Sequence, residues 1–430
     1  MNYKETLEYL LLKLPVFENV GAGAIKSGLL NITLLCEALG NPQNKFKSIH
    51  VAGTNGKGST SHLLASIFIS AGYKTGLHTS PHLKSFTERF KINGESASED
   101  SVVEFVEKHR LLIENIKPSF FEISVALAFD YFANQHVDIA VIEVGLGGRL
   151  DSTNIITPIL SIITNIGYDH VAILGDSLKK IATEKAGIIK PNIPVVISEF
   201  QLEINDVFLS KADECNSDIY FASDKFSVKS VQFKEGRRVV DVYHESKLLY
   251  KSLVLDLLGE YQLKNVIGVL QAVKILNDLG IFILEKNVRA GIENCCKITN
   301  FKGRWSELQK NPTVIADIAH NYEGLTESIN QINKYQFDNL VFILGFVRDK
   351  DVRKIMTLLP ITANYYFCQP STPRALPVTE LTAIAHEFGL NSKSYTNVNE
   401  ALRYVLENSG TNDFIYIGGS TFVLSDITEI

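Results

Sequence analysis

The sequence is poor in the features that mark secreted and membrane-spanning proteins. Its 430 residues include only five cysteines, and no two of them form a C-x-x-C pair. An odd number at irregular spacing fits neither a disulfide framework nor a zinc site, so we expect a reducing compartment, the cytoplasm. No segment holds eighteen apolar residues in succession and no signal-peptide pattern opens the chain, so we expect neither a membrane span nor secretion.

Positive charge is also scarce. Lysine and arginine total 42 against 48 acidic residues, which leaves a net charge of -6. Binding of a nucleic acid requires clustered cations, so we expect small-molecule partners, no nucleic acid and no membrane surface, and we expect a monomer. The length suggests two or three domains, and a hydrophobic content of 45% is ample for packed cores.

One stretch, residues 48–60, predicts a buried strand, a glycine turn and the start of a helix. This is the layout of a phosphate-binding loop, in which backbone N–H groups converge on phosphate oxygens. Lys57 adds a positive charge that we expect to be exposed in the empty protein, and the hydroxyl of Ser59 or Thr60 can reach a magnesium ion. The usual G-x-x-x-x-G-K-[ST] pattern is not met, because Val51 replaces its first glycine and Gly58 follows the lysine directly.

Three later strand ends carry polar residues that suit a divalent cation. Ser80 follows the strand predicted at 75–79, Glu143 lies inside the apolar run 137–144, and His170 follows the run 159–164. The carboxyl ends of parallel strands meet at one edge of a sheet, so hydroxyl, carboxylate and imidazole ligands would gather there. Two simpler interpretations stay open: Ser80 as a turn residue before proline, and His170 as a packed histidine.

The pattern of apolar runs predicts an α/β protein in two parts. The first is an N-terminal P-loop-type domain with a mostly parallel sheet, including a helix at 99–116 and a small antiparallel appendage between about 219 and 257. A polar segment, 297–303, is the expected linker. Beyond it, four apolar runs predict a smaller Rossmann-like α/β domain, and we place the domains at 1–298 and 299–430.

The G-T-N-G-K turn resembles the loop of the Mur ligase superfamily, and its G-K-G-S form is similar to folylpolyglutamate synthase and dihydrofolate synthase. Further ordered similarities cover nearly the whole chain: residues 80–83, 143–154, 165–170, 184–189, 259–265 and 317–321. The resemblance implies an ATP-dependent ligase with its active site between the two domains. In that family a pterin-bearing carboxylate takes the γ-phosphoryl group of ATP, and the amine of L-glutamate then displaces phosphate from the acyl phosphate.

The resemblance also implies roles for single residues. Lys57, Lys185 and His320 are the catalytic candidates, and the ATP contacts are Thr54, Asn55, Gly56, Lys57, Gly58, Ser59, Asn265, Arg304 and Asp317. The pterin site is implied at Phe121, Glu122, Leu150, Asp151 and Ser152. Magnesium would be held by Ser80, Glu143 and His170, and a second ion by Lys185 in carbamylated form; potassium is a further candidate ion. From composition alone, Lys185 is simply a solvated lysine.

Several alternatives remain at this stage. A cell-wall Mur ligase usually carries a further domain ahead of the phosphate loop, and we expect the fifty or so preceding residues to be too few for it. A nucleotide-binding switch would keep Lys57 without a folate pocket.

Asn265 is either a helix cap or a ligand contact. The segment 372–377 places a proline before Arg374, where many family members have Ser-Arg-Ala, so we expect a different local backbone. The acceptor is dihydropteroate, a reduced folate, or both.

Overall fold

The computed structural model describes residues 1–15, 28–234 and 236–428. Its largest sheet contains eight strands: β1 (Lys47–Ala52), β2 (Thr75–His78), β3 (Phe90–Ile92), β4 (Glu95–Ser96), β5 (Ile139–Glu143), β6 (Leu160–Ile163), β7 (Val195–Ile197) and β8 (Ile219–Phe221). They lie in the order β4-β3-β2-β5-β1-β6-β7-β8. All neighbours pair in parallel except the edge strands β3 and β4, which run antiparallel. The predicted parallel sheet is confirmed.

Helices cover both faces of this sheet, as a parallel sheet requires. Their bounds are Tyr3–Lys13, Leu30–Ala38, Glu99–Lys108, Arg110–Ile116, Phe120–Asn134, Val171–Leu174, Leu178–Ala186, Asn205–Glu214, Ala222–Lys225, Gln262–Asp278, Glu285–Glu293 and Cys295–Thr299. The helix Lys57–Ser70 follows the phosphate loop and is buried from Gly58 through Phe68. The helix Glu285–Glu293 packs closely against it, since a Cβ at Gly291 would lie 2.6 Å from the Cα of Ile67. The loop therefore rests on a rigid central helix.

The antiparallel appendage is a three-stranded sheet, β9 (Phe226–Lys234), β10 (Arg237–His244) and β11 (Lys247–Leu255), in the order β11-β10-β9. It packs through β9 against the helix Gln262–Asp278 and through β11 against the helix Glu285–Glu293. The predicted range was too wide at its start, because β8 joins the large parallel sheet instead. The apolar residues Ile219–Phe221 are equally compatible with the edge strand of a parallel sheet.

The remaining six strands form a second α/β layer: β12 (Ser306–Gln309), β13 (Thr313–Ala316), β14 (Leu340–Leu344), β15 (Asn364–Cys368), β16 (Ser392–Tyr395) and β17 (Phe414–Gly418). Their order is β12-β13-β17-β14-β15-β16, with only β12 antiparallel. The accompanying helices are Tyr322–Ile332, Val352–Met356, Val378–Glu387, Val398–Asn408 and Thr421–Asp426. A smaller second α/β domain is therefore confirmed.

Two local predictions were wrong. The segment 99–116 is two helices, because the backbone of His109 leaves helical geometry between them. The expected linker at 297–303 begins too early, since the helix Cys295–Thr299 continues into it. Of the described helices, none combines the length and hydropathy that a bilayer span requires.

The two parallel sheets present their carboxyl ends to a common cleft. From the first sheet come the loops after β1, β2, β5 and β6, and from the second the loops after β13, β14 and β17. Side chains join the two sides directly: the Asn321 Nδ2 donates to Asn55 Oδ1 at 3.1 Å, and Lys264 Nζ donates to Glu327 Oε1 at 3.0 Å. Open α/β sheets bind ligands at such ends, so this cleft is where a site is expected.

Candidate functional site

The phosphate loop is shaped by two glycines that no other residue could replace without strain. Gly53 and Gly56 have φ values of +145° and +87°, in the region that favours glycine. A Cβ at Gly53 would lie 1.8 Å from Thr164 Oγ1, and one at Gly56 would lie 2.2 Å from Asn265 Oδ1. The loop can therefore pass close to its neighbours, and Gly56 directly caps the helix Lys57–Ser70. This backbone presents N–H groups at a helix N-terminus.

Lys57 is not exposed, contrary to the prediction. Its side chain is half-buried, and Nζ donates to the carbonyl oxygens of Gly53 at 3.0 Å and Thr54 at 3.1 Å. Burial lowers the pKa of this ammonium, while the nearby carboxylates of Glu143 and Asp169 oppose the shift. The lysine is thus folded back onto its own loop, and a bound phosphate would have to replace its carbonyl partners.

A cavity of about 310 Å³, the nucleotide cavity, opens beside this loop. Six of the predicted ATP contacts line it: Asn55, Gly56, Ser59, Asn265, Arg304 and Asp317. The other three do not. Thr54 exchanges hydrogen bonds with Gly167, Lys57 turns to the loop carbonyls, and Gly58 lines a neighbouring cavity. The structure brings most of the predicted nucleotide residues together from both domains.

Polar contacts hold the walls of the nucleotide cavity in place. Gln262 Nε2 donates to Ser59 Oγ at 3.0 Å, and the amide of Asn265 donates to Gln262 Oε1 at 2.8 Å. Asn265 is therefore not the helix cap, a position taken by Tyr261. The hydroxyl of Tyr261 donates to Asp317 Oδ2 at 2.8 Å, and burial raises the pKa of Asp317 although Arg304 opposes the shift. Sequence reasoning missed Tyr261, whose only signal was its place in the 259–265 similarity.

The residues predicted to bind a cation, Ser80, Glu143 and His170, lie near the phosphate loop. Glu143 ends β5 beside Val51 of β1, is buried, and accepts a hydrogen bond from the Ser80 backbone N–H at 3.1 Å. Burial raises its pKa to about 7, and Lys57 and Arg304 oppose that shift. A cation would offset the cost of burying this carboxylate. Glu143 therefore suits a metal ligand.

His170 lies at the start of the helix Val171–Leu174 with φ of +50°. Burial lowers its pKa to about 3, so the imidazole is neutral and able to act as a ligand. Within residues 1–15, 28–234 and 236–428, no group of three or more His, Cys, Asp and Glu side chains is arranged to hold a metal. The predicted set contains only two residues of those types, Glu143 and His170, beside a serine and a lysine. Its hydroxyl, carboxylate and neutral imidazole fit a divalent cation chemically.

Lys185 is buried and is not the solvated lysine that composition suggested. Its Nζ donates to the Gly53 carbonyl at 2.9 Å, the same oxygen that accepts from Lys57. Burial, followed by the charge of Lys57, lowers the pKa of Lys185 to about 7. A large fraction of the amine is therefore neutral near neutral pH, which is the form that reacts with carbon dioxide.

A second cavity of about 380 Å³, the acceptor cavity, adjoins the nucleotide cavity at His320. All five predicted pterin residues line it: Phe121, Glu122, Leu150, Asp151 and Ser152. The Phe121 ring packs so closely on Gly145 that a Cβ there would lie 2.4 Å from the ring. The C-terminal domain completes the wall with residues that include Lys350, Arg374 and Ser420. Sequence similarity therefore identified one continuous surface.

Two of the five residues also shape the local backbone. Glu122 forms a capping box with Ser119 at the start of the helix Phe120–Asn134, with Ser119 N–H donating to Glu122 Oε2 at 2.6 Å. The Asp151 carboxylate accepts from the backbone N–H of Leu146 at 2.8 Å and of Thr153 at 3.0 Å. These carboxylates hold the backbone of the cavity wall through hydrogen bonds, so both residues have a structural role there. Arg374 pairs with Asp349 on the opposite wall.

His320 is the one predicted residue that lines both the acceptor cavity and the nucleotide cavity. Its Nδ1 contacts the Ile318 carbonyl at 2.9 Å and its Nε2 contacts Asp169 Oδ2 at 3.2 Å. Asp169 also accepts from Lys350 Nζ, so one carboxylate of the first domain holds two side chains of the second. Burial opposes ionisation of Asp169, but His320 and Lys350 outweigh it and leave its pKa well below the usual range.

Sequence reasoning missed Asp169 and Lys350 as site residues. Both lie in polar loops after apolar strands, at positions 165–170 and 345–351, and that placement was the only signal available. Their pairing could not be inferred, because 181 residues separate them.

Both parts of the chain match known protein families. Residues 51–273 match the Mur ligase middle domain and residues 303–421 match the Mur ligase glutamate ligase domain. A dihydrofolate synthase/folylpolyglutamate synthase of Bacillus subtilis is 33% identical over 94% of this chain and 95% of its own length. The fold and the matched domains define an ATP-dependent ligase that forms a C–N bond.

Solved structures agree. Mycobacterium tuberculosis folylpolyglutamate synthase complexed with ADP and AMPPCP is similar with a TM-score of 0.87 and 30% identity, covering 99% of this chain and 98% of that one. Escherichia coli FolC in complex with DHPP and ADP is similar with a TM-score of 0.86 and 26% identity, covering 100% and 97%. The chain belongs to the folylpolyglutamate synthase and dihydrofolate synthase family of Mur ligases. This membership disfavours both the cell-wall ligase and the nucleotide-binding switch.

Proposed function

We propose that this ligase joins L-glutamate to the carboxylate of a pterin-bearing acceptor through an acyl phosphate, and that one site accepts both dihydropteroate and a reduced folate. The observation that carries the proposal is the acceptor cavity, whose wall contains Phe121, Glu122, Leu150, Asp151 and Ser152 together. Its mixture of an aromatic ring with buried carboxylates suits a flat heterocycle with hydrogen-bond donors. His320 connects it to the nucleotide cavity.

The chemistry balances without a covalent enzyme intermediate. An acceptor carboxylate oxygen attacks the γ-phosphorus of ATP, the bond to the β–γ bridging oxygen breaks, and ADP leaves. The glutamate amine then attacks the activated carbonyl carbon, phosphate leaves with the electron pair of the C–O bond, and the amine loses a proton. Both steps depend on positioning and charge neutralisation, which the glycine loop, Lys57 and Arg304 can supply. We assign His320 to holding the reacting carboxylate beside the γ-phosphate.

We propose that the nine predicted ATP contacts act on the nucleotide, with Lys57 leaving the loop carbonyls when phosphate arrives. Ser80, Glu143 and His170 would hold magnesium, which when bound neutralises charge on the phosphates. The raised pKa of Glu143 and the neutral imidazole of His170 support this set. We also expect potassium to bind, and we assign no residues to it.

We further propose that Lys185 is carbamylated and binds a second magnesium ion. A carbamate converts this buried amine into an anion, and a pKa of about 7 supplies the neutral form that the modification needs. Protein equilibrated with ¹³C-bicarbonate should show a carbamate carbonyl resonance that Lys185→Met abolishes and that the exposed-lysine control Lys179→Met retains. A fully active protein without that resonance would contradict the assignment.

The division at 1–298 and 299–430 is retained as a proposal, with the boundary falling in the last turn of the helix Cys295–Thr299. We also propose a monomer, because the two domains of a single chain supply all the described residues around the acceptor cavity. A cytoplasmic location is supported by the free state of the five cysteines.

The deciding experiment supplies dihydropteroate and a reduced folate in parallel, each with ATP, magnesium and labelled glutamate. We expect labelled product from both acceptors, and ADP release over many turnovers that requires acceptor and glutamate together. Product from one acceptor alone would refute the shared site. Product from neither would remove the folate assignment.

A further inference from the structure

A third cavity lies at the junction of the two domains, and no substrate has been assigned to it. We call it the linker cavity, because residues Asn300 to Arg304 form part of its wall, and its volume is about 160 Å³. The loop after β2 and the first turns of the helix Lys57–Ser70 close it from the first domain, through Ser80 and Gly58. Thr421 contributes from the second domain.

The three cavities share walls pairwise. Ser80 and Thr421 line both the linker cavity and the acceptor cavity, whereas Arg304 lines both the linker cavity and the nucleotide cavity. Glu143 lines the linker cavity, and its Oε1 lies 3.6 Å from where a Cβ on Gly58 would stand. The three cavities thus meet around the start of the phosphate-loop helix, where the γ-phosphoryl group would be transferred.

The linker cavity is rich in cations. Four of its residues are positively charged, Lys84, Lys91, Lys302 and Arg304, against the two carboxylates Glu88 and Glu143. Glu88 is already satisfied, because its oxygens accept from the backbone N–H groups of Leu83, Lys84 and Ser85, each at 2.8 Å. Its charge is therefore shared with three amides of its own turn, and the cavity as a whole favours an anion.

Two of those cations lack a protein partner. Lys91 donates to the carbonyls of Thr299 and Asn300, and Lys84 donates to Ser425. By contrast, Lys302 is exposed and its Nζ has no hydrogen bond or ion pair to the residues that the structure describes, and the buried Nε of Arg304 has no acceptor among them. Buried donors are normally satisfied, so the Nε of Arg304 is available to an anion in this cavity, and the exposed ammonium of Lys302 adds a second positive charge.

We propose that the linker cavity binds the inorganic phosphate released when the glutamate amine attacks the acyl phosphate. This rests on the proposed function, and it assigns one cavity to each product: ADP beside Arg304, the amide product beside Phe121, and phosphate beside Lys302. Arg304 lines the path on both sides, so the phosphate can leave the nucleotide cavity while it stays neutralised. Glutamate fits the linker cavity less well, since Glu88 is occupied and Glu143 suits the metal, leaving no carboxylate for its ammonium.

Product inhibition tests the proposal. Incorporation of labelled glutamate is measured with added inorganic phosphate or ADP, at an ionic strength held constant with chloride. Lys302→Gln is compared with Lys302→Arg, which keeps the charge, and with Lys310→Gln, an exposed lysine that lines none of the three cavities. We expect Lys302→Gln to raise the inhibition constant of phosphate about tenfold, because one charged hydrogen bond is lost, with that of ADP within about twofold. Both control variants should stay within about twofold of the wild type.

The other outcomes overturn the proposal. An unchanged inhibition constant of phosphate in Lys302→Gln rejects phosphate binding in the linker cavity. If the KM for glutamate rises instead, the cavity binds glutamate. Equal rises for phosphate and ADP would mean a disturbed nucleotide site. If the wild-type protein ligates no acceptor, the proposed function fails separately. Calorimetric titration with inorganic phosphate then decides: heat in the wild type that Lys302→Gln loses supports the cavity, and equal traces reject it.

Discussion

The two sides of the cleft hold their functional side chains in different ways. On the first-domain side, Lys57 and Lys185 bind the Gly53 carbonyl and Glu143 binds the Ser80 N–H, so the partners are backbone groups of the same domain. On the second-domain side, His320 and Lys350 are held by Asp169, which belongs to the other domain. These first-domain side chains are therefore held within their own domain, whereas His320 and Lys350 draw part of their support from the other domain.

The titration behaviour of the two sides differs accordingly. At Glu143 and Lys185 burial outweighs the opposing charges nearby and moves both pKa values toward the neutral form, to about 7. Asp169 is buried too, yet its hydrogen bond to His320 and the charge of Lys350 across the cleft keep its pKa well below the usual range. Its charge therefore stabilises the closed cleft at neutral pH, and that contribution is lost only as the pH falls through its depressed pKa.

The largest effect is expected on the self-contained side, at Lys57. Lys57→Ala should lower kcat by at least about a hundredfold, because the γ-phosphoryl group loses a positive charge during transfer. Steady-state kinetics on a variant with a native circular dichroism spectrum checks this. Lys47→Ala, an exposed lysine at the start of the same β1 strand, is the matched control. Comparable activity in both variants would sink the phosphate-loop assignment.

Glu143→Gln should raise the magnesium concentration needed for half-maximal rate by at least about tenfold, since a charged ligand is lost. Magnesium titration compares Glu143→Gln with Glu104→Gln, a change at an exposed glutamate.

Glu143→Gln should also change how stability depends on pH. A raised folded-state pKa of about 7 means that ionising Glu143 costs stability as the pH rises from its unfolded value to 7.

Without metal, Glu143→Gln should therefore be more stable than the wild type by about 2–3 kcal/mol at pH 8, and by much less at pH 5. Denaturant unfolding in the presence of a chelator at the two pH values measures the difference. A gain that is equal at both would show that Glu143 does not titrate in this range.

A smaller effect is expected on the side that depends on domain contact. Asp169→Asn keeps the shape of the side chain but removes the charge that holds His320 and Lys350, and kcat/KM should fall about tenfold. Asp206→Asn, which removes a carboxylate from an exposed ion pair with Lys179, should have little effect. Loss of activity with unchanged small-angle scattering would show that Asp169 acts within the closed form; a more open form would show that it closes the cleft.

The smallest effect is expected at Gly145, which lies against the Phe121 ring. A Cβ would force that ring to move, so Gly145→Ala should raise the KM for the acceptor about three- to fivefold while the KM for ATP stays constant. Gly410→Ala is the control, because its Cβ would meet nothing closer than 3.9 Å. Equal changes in the two KM values would mean that the acceptor cavity and the nucleotide cavity are not independent.

The sequence predicted the strands that carry the site because those strands are buried on both faces. β5, β6 and the four apolar strands of the second domain appear as largely hydrophobic runs, whereas β1 is buried but also contains Ser48 and His50. The edge strands β4, β12 and β16 were missed, since they are short and largely polar. Their place is set by pairing with distant strands, which local composition does not encode.

The candidate site divides in the same way. The five residues that similarity implied for the pterin site line one cavity, and they could be named in advance because they lie in short ordered motifs. That Lys57 folds back onto its own loop was not predicted, and neither was the burial of Lys185, since its partner Gly53 lies 132 residues away in the chain. The link from Asp169 to Lys350 escaped for the same reason. Motifs indicate candidate site residues, whereas contacts between domains can be seen only in the assembled fold.

The position of His320 between the nucleotide cavity and the acceptor cavity has a consequence for inhibitor design. Since one imidazole borders both, a single molecule could carry a nucleotide-like anion and a flat heterocycle on a short tether passing that ring. Once one end is bound, the other is confined near its own cavity at a high effective concentration, so the linked compound should bind much more tightly than either half. Each half alone would compete with a single substrate, whereas the tethered compound would compete with both.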